Sequence, residues 1–247
     1  MKNKSIIITG AASGMGASSA RKFSKSGANV TIVDINKELA DQVKNEINAT
    51  DPIIGDIGDS SFCKKVIEST IERYGKVDVL VNCAGTILRA NAENTTDDDW
   101  HRVMSTNVNG LFFMSRAAIT PMIKNGNGVI INFGSIWGSV GSAGVVAYCA
   151  SKGAVHQITR AMALDHAKDG IRINSVCPGE VNTPMLSTGR KSPPTKEDLQ
   201  KLADETIPVA RLAEPEEVAN VVYFLASENA SYMTGSMVTV DGGFTTR

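Results

Sequence analysis

Ser5-Ile6-Ile7-Ile8-Thr9-Gly10-Ala11-Ala12-Ser13-Gly14-Met15-Gly16 is the stretch whose reading decides the fold. Ser5 to Ile8 is a short apolar β run, and a helical pattern starts at Gly14 and runs to Ser26, where Gly27 stops it. The turn between strand and helix is rich in glycine. Glycines let the backbone turn tightly and approach a diphosphate, whose charge is met by the N–H groups and dipole of the helix start. Gly10, Ser13, Gly14, Met15 and Gly16 are therefore candidate dinucleotide-binding residues. The spacing is Gly-x-x-x-Gly-x-Gly, not the generic Gly-x-Gly-x-x-Gly, so a glycine-rich turn without a ligand is the competing reading.

The same alternation continues outward. Asn29 to Val33 reads as a strand, Lys37 to Asn48 as a helix, Pro52 to Gly55 as a strand, Ser60 to Tyr74 as a helix stopped by Gly75, and Val77 to Asn82 as a strand. Thr96 with Asp97, Asp98 and Asp99 caps a helix running to about Ile123. Then come a buried strand from Gly128 to Phe133, a helix from near Val146 to about Lys168, and a strand around Arg172 to Val176. A helix opened by Glu214-Pro215 and a last strand, Met237 to Val240, complete the chain. Short β-branched strands between long helices predict an α/β fold: a single-domain, doubly wound parallel sheet, Rossmann-like, with helices on both faces. Thr183 to Asp204 breaks the alternation with Pro184, Gly189, Pro193 and Pro194, and carries a short helix from Thr195. It follows the C-terminal end of a strand, over the edge where such sheets bind ligands, and reads as a substrate lid rather than a plain surface loop.

A net charge of -1 and a hydrophobic fraction of 42% fit a soluble protein with a full core and no nucleic-acid or membrane-surface partner. The longest apolar runs, such as Val218 to Ala226, are too short to span a bilayer. The N-terminal residues enter a strand directly, with no cleavage-site signature. Cys63, Cys83, Cys149 and Cys177 lie far apart without a Cys-x-x-Cys pair and read as reduced thiols, which makes the cytoplasm the expected compartment. His101, His156 and His166 have no partner at ligand spacing, so no metal site is expected.

Asp34 follows the second strand. A carboxylate there can accept both hydroxyls of an adenosine ribose and repels a 2′-phosphate, and neither Ser13 nor Ile35 supplies a compensating cation. The expected cofactor is NAD, not NADP; the competing reading is a solvated Asp at a strand end. Downstream, Tyr148 and Lys152 stand four residues apart on a predicted helix, one above the other. A phenol titrates near ~10 in water, and a cation beside it favours the ionised form. Such a phenol can exchange a proton between alcohol and carbonyl.

These residues, taken together, resemble the classical short-chain dehydrogenases/reductases over essentially the whole chain. The matching motifs are Thr9 to Gly16, Asp56-Ile57, Asn82-Cys83-Ala84-Gly85, Asn107, Ser135, Tyr148-x-x-x-Lys152, and Pro178-Gly179 leading to Thr183. Cys83 departs from the family, which usually has Asn there. The resemblance implies that Tyr148 is the general acid/base, and that Lys152 lowers its pKa and holds the nicotinamide ribose. It implies that Ser135 holds the substrate oxygen and that Asn107 fixes a water linking Lys152 to solvent. Asp56 and Ile57 would meet the adenine, Asn82, Ala84 and Gly85 would line the adenosine side, and Pro178, Val181 and Thr183 would meet the nicotinamide. A homotetramer is implied in the same way. Read singly, Asn107 could bridge backbone groups inside a helix and Ser135 could cap a turn.

The substrate is expected to be a small polar hydroxy compound, either a polyol or sugar, or a hydroxy acid or hydroxysulfonate held by Arg190 in the lid. A bidentate guanidinium suits such an anion, against the alternative of a solvated lid charge. Lys191 and Arg247 are further candidate cations, and Trp137 either walls the pocket or packs in the core. The rival function is a catalytically idle NAD-binding sensor or scaffold. An intact Ser135, Tyr148 and Lys152 speaks against it, because a binding module has no use for a tuned phenol. Epimerases and dehydratases with the same Tyr and Lys resemble longer chains.

Overall fold

Ile6, Ile7 and Ile8 are fully buried in the first strand, each contributing about 1.5–3 kcal/mol of apolar burial. Ile6 and Ile8 pack on one face of the sheet and Ile7 on the other. Both faces are thus covered, which is why the run is apolar throughout instead of alternating. A computed structural model describes residues 1–246; Arg247, considered above as a substrate cation, lies outside the described residues.

Seven parallel strands form one sheet: β1 (Ser5–Thr9), β2 (Asn29–Asp34), β3 (Ile53–Ile54), β4 (Val79–Asn82), β5 (Gly128–Phe133), β6 (Ile171–Pro178) and β7 (Met237–Val240). Their order across the sheet is β3-β2-β1-β4-β5-β6-β7. The winding reverses between β1 and β4, so the crevice for a ligand opens at the C-terminal ends of those two strands. Helices α1 (Gly14–Lys25), α2 (Lys37–Ile47) and α8 (Pro215–Ala226) cover one face. Helices α3 (Ser60–Tyr74), α5 (Leu111–Asn125) and α6 (Val146–His166) cover the other. Among the described residues no helix is long and apolar enough to cross a membrane.

The helix expected from Asp97 to Ile123 is not uniform. It begins as α4 (Asp97–Met104), capped by the Thr96 hydroxyl, widens into a π-helical turn at Ser105–Gly110, and resumes as α5. A π-turn inserts one residue into the ladder and re-aims the side chains it carries. Here it turns Asn107 into the interior, where 1% of its surface remains exposed. In the lid, Thr195 and Asp198 form a capping box that starts α7 (Lys196–Thr206).

Candidate active site

Two glycines shape the crevice at the C-terminal ends of β1 and β4. Gly10 has φ +67°, and a Cβ there would lie 2.7 Å from Cα of Ala84, so the loops after β1 and β4 touch backbone to backbone. A Cβ on Gly16 would lie 2.0 Å from the Gly10 carbonyl oxygen. The first turn of α1 carries no acidic side chain, and the exposed Ser13 hydroxyl caps nothing. That end of the helix therefore presents orphan N–H groups and a spare hydroxyl to the crevice. Gly14 and Met15 line it, and Thr183 closes over Gly14, its Cγ2 3.3 Å from where a Cβ would be.

At the far end the Asp34 carboxylate accepts hydrogen bonds from Ala12 N–H and Asn36 N–H, both at 3.0 Å, which fixes it at the crevice wall. Asp56 accepts from Gly58 N–H at 2.8 Å and lines the wall beside Ile57, Ala84 and Gly85. Asn82 does not line the crevice. Its side chain is turned into the core, where Nδ2 donates to Ser115 Oγ and Asn132 Oδ1, both at 2.9 Å. Asn132 in turn donates to Thr159 on α6 at 2.9 Å. The expected contact is replaced by a buried polar chain that fixes α6 against β4 and β5.

Helix α6 carries Tyr148 and Lys152, and the loop after β5 carries Ser135. All three are nearly buried and line one inner cavity. The Ser135 hydroxyl accepts from Trp137 N–H at 3.2 Å, so it caps a turn as well as facing the phenol. Lys152 Nζ lies 5.5 Å from the Tyr148 ring centroid and donates to the Phe133 carbonyl at 2.7 Å. Burial pushes the Tyr148 phenol up to about 12; the facing Ser135 hydroxyl opposes this, and the Glu180 carboxylate adds to it. Burial brings the Lys152 ammonium down to about 8. Burial thus works against the acidic phenol expected beside the cation. For both groups desolvation is the largest cause, because both are buried in the same cavity.

Asn107 Nδ2 donates to Thr86 O and to Ser151 Oγ, both at 2.9 Å, and Oδ1 accepts from Thr86 N–H at 2.8 Å. The side chain thus bridges the loop after β4 to α6, the competing reading for this residue. Its Oδ1 would still lie 3.4 Å from a Cβ on Gly85, whose other neighbour there is Lys152 Nζ at 3.7 Å. Asn107 and Lys152 therefore converge beside Gly85.

Comparison with known proteins places this geometry. The family model described as enoyl-(acyl carrier protein) reductase matches residues 10–245. Meso-2,3-butanediol dehydrogenase of Serratia marcescens is similar at 40% identity over 245 residues, covering 98% of this chain and 95% of the relative. The chain belongs to the classical short-chain dehydrogenase/reductase family. A second short-chain dehydrogenase/reductase relative, 2,5-dichloro-2,5-cyclohexadiene-1,4-diol dehydrogenase of Sphingobium indicum, is 36% identical over 248 residues, covering 99% of this chain and 97% of that one. The solved structure of 3-ketoacyl-(acyl-carrier-protein) reductase from Brucella melitensis, complexed with NADH, superimposes with a TM-score of 0.91 at 35% identity, covering 98% of each chain. As a short-chain dehydrogenase/reductase the protein is an oxidoreductase.

In this short-chain dehydrogenase/reductase the inner cavity has a volume of about 190 Å³ and shares Met15, Cys83, Gly85, Thr183 and Met185 with the nucleotide crevice. Pro178, Val181 and Thr183 line it, Thr183 on the wall that the two share. The departure at Cys83 puts a thiol on that shared wall, and burial pushes it up to about 12, so it stays protonated. Trp137 walls the cavity, its ring edge against Phe244 with centroids 5.2 Å apart. Arg190, itself exposed, is among the residues lining the cavity, whereas Lys191 is exposed and outside it. Two charged residues that sequence reading passed over also face it: Arg89, from the loop after β4, and Glu180, inside the Pro178 to Thr183 motif. Their position at strand C-terminal ends was the available signal.

Proposed function

We propose that the protein is an NAD-dependent oxidoreductase that interconverts a secondary alcohol and a ketone, with Tyr148 as general acid/base. The observation that carries this reading is the convergence of Ser135, Tyr148 and Lys152 on one cavity that opens into the glycine-lined crevice. The crevice suits a dinucleotide: side chains at Gly10 and Gly16 would collide with the backbone that shapes its floor, Ser13 is a spare donor, and Asp34 is an acceptor for a ribose diol. Gly10 and Ser13 to Gly16 would hold the diphosphate, and Asp34 the adenosine ribose. Asp56, Ile57, Ala84 and Gly85 would face the adenine side, Lys152 and Tyr148 the nicotinamide ribose, and Pro178, Val181 and Thr183 the nicotinamide. The bound dinucleotide supplies or takes up the hydride.

The chain's own residues manage the oxygen and its proton. Ser135 donates a hydrogen bond to the substrate oxygen and stabilises charge developing there. Tyr148, whose phenol is protonated at neutral pH, hands its proton to that oxygen during reduction and takes it back during oxidation. Lys152 is cationic below about pH 8 and places its charge where it favours the transient phenolate. Arg190 is placed to receive an anionic end of the substrate, and the small cavity favours a compact polar alcohol over a long chain. The family resemblance also supports a cytoplasmic homotetramer, and exposed Phe112, Ile123 and Leu164 on α5 and α6 suit burial between subunits.

The test is Tyr148→Phe with NADH and a panel of ketones. Turnover should fall at least about 10²-fold, the scale of a lost general acid, while NADH binding by fluorescence stays within a few-fold of wild type. Surviving turnover overturns the assignment. A wild type that binds NADH yet reduces nothing in a broad panel would instead leave a dinucleotide-binding sensor.

A further inference from the structure

The inner cavity holds more charge than proton transfer requires. Glu180 projects into it half-buried, and among the described residues its carboxylate accepts no hydrogen bond and forms no ion pair. The charges that act on it are Arg89 and Arg190, close enough to work through space without touching it, and Tyr148 lines the same cavity. Each arginine is anchored by one nitrogen only: Arg89 Nε donates to Thr188 O at 3.0 Å, and Arg190 Nε donates to Leu186 O at 2.8 Å. Among the described residues, the terminal nitrogens of both guanidiniums are left without an acceptor. Two guanidiniums facing one carboxylate leave an excess of positive charge, and neither the carboxylate nor the terminal guanidinium nitrogens find a direct partner among the described residues. A ligand that brings a donor for Glu180 and an anion for the arginines satisfies all of them together.

The backbone under these side chains is pinned. Ala90, next to Arg89, forms a β-bridge with Val145 at the start of α6. The Glu180 carbonyl accepts from Ala213 N–H at 3.0 Å, and Val181 is bridged to Ala213. Arg89 and Glu180 are therefore presented from fixed backbone positions in the same cavity, while Arg190 comes from the lid. Burial keeps the Glu180 carboxyl above its usual range, with the two arginines opposing.

We infer that Arg89, Glu180 and Arg190 form a specificity cluster for a small monoanionic substrate that carries a second hydroxyl. Glu180 accepts a hydrogen bond from the non-reacting hydroxyl, and the two guanidiniums grip a carboxylate or sulfonate at the other end. This rests on the oxidoreductase reading and narrows its substrate from any compact alcohol to a dihydroxy acid or dihydroxysulfonate.

Three alcohols on one carbon skeleton separate the parts: 2,3-dihydroxybutanoate has both features, 3-hydroxybutanoate lacks the second hydroxyl, and butane-2,3-diol lacks the charge. The wild type should oxidise the dihydroxy acid with a kcat/KM at least tenfold above either of the others. Arg89→Gln and Arg190→Gln should each lower the ratio of dihydroxy acid to neutral diol at least tenfold, mainly through KM. Glu180→Gln should lower the ratio of dihydroxy to monohydroxy acid by a similar factor. Thermal denaturation and NADH fluorescence check that each variant is folded. A wild type that prefers the neutral diol, turnover of none of the three, or variants that leave both ratios unchanged overturn the inference. Diol turnover that disappears in Tyr148→Phe keeps the oxidoreductase reading in place even then.

Discussion

Asn107 and Thr86 are joined twice: the amide of Asn107 donates to the Thr86 carbonyl at 2.9 Å and its oxygen accepts from the Thr86 N–H at 2.8 Å. A side chain that mimics a backbone partner in both directions fixes the loop after β4 as a strand neighbour would. The π-helical turn is what brings Asn107 to this position. Removing the amide leaves a buried donor and acceptor without partners, each costing about 1–3 kcal/mol. Asn107→Ala should therefore lose about 2–4 kcal/mol of stability in urea unfolding. Its kcat should fall more than its KM rises, because Ser151 beside Tyr148 loses the same partner. Unaltered stability would show that the double bond to Thr86 carries no weight.

The amine of Lys152 sets a pH dependence of stability. Its ordinary value of 10.5 is brought down to about 8 in the fold. The unfolded chain therefore binds more protons between those values, and stability rises with pH across that window. Below about pH 8 the cost of burying the cation is fully present; above 10.5 it is gone. Lys152→Met has no such term. The stability difference between wild type and Lys152→Met should shift by about 2–3 kcal/mol in favour of wild type from pH 7 to pH 10. Denaturant titrations at several pH values test this, and a flat difference would mean the amine is better solvated than its position between Tyr148 and Phe133 implies.

Much of this architecture is legible in the residues because local rules and global packing agree. The helix Ser60–Tyr74 and the strand Gly128–Phe133 have the predicted bounds, since a cap or glycine stop marks the first and an unbroken apolar run the second. The π-turn was not legible. Ser105 to Gly110 keeps the spacing of an ordinary helix, and the partners that the widened turn gives Asn107, Thr86 and Ser151, are 21 and 44 residues away in the chain. Asn82 misled for a related reason: its motif lies at a strand end, but its side chain completes a buried chain with Ser115 and Asn132. Arg89 meets the lid through Thr188, 99 residues away, and no local pattern marks such a pair. The pKa values of Tyr148 and Lys152 escaped because spacing reports their neighbour and not their loss of water.

Asp34 should select the cofactor by charge, and its two backbone bonds make the choice of variant matter. Asp34→Ala would release Ala12 N–H and Asn36 N–H together. Asp34→Asn keeps one acceptor and removes the charge that repels a 2′-phosphate. The kcat/KM ratio of NADH to NADPH should fall at least about tenfold in Asp34→Asn, a change of about 1.4 kcal/mol in discrimination. Equal ratios in variant and wild type would remove Asp34 as the selector.

Gly16 and Gly75 separate two reasons for being glycine. Gly75 ends α3 with φ +78°, and a Cβ added there would meet nothing within 4 Å, so Gly75→Ala meets only backbone strain. That costs about 1–2 kcal/mol. Gly16 lies inside α1 with ordinary helical backbone, where alanine would normally stabilise by about 0.5–1 kcal/mol. Its Cβ would nevertheless stand 2.0 Å from the Gly10 carbonyl oxygen, a backbone atom that can yield only by moving the whole turn. Gly16→Ala should therefore be the more damaging change, losing more than about 2 kcal/mol and weakening NADH binding, because the displaced turn is the one proposed to hold the diphosphate. Gly75→Ala should leave NADH binding alone. Denaturant unfolding alongside NADH fluorescence decides between them: if both variants lose equal stability and neither loses binding, the close approach of α1 to the first loop is not what shapes the crevice.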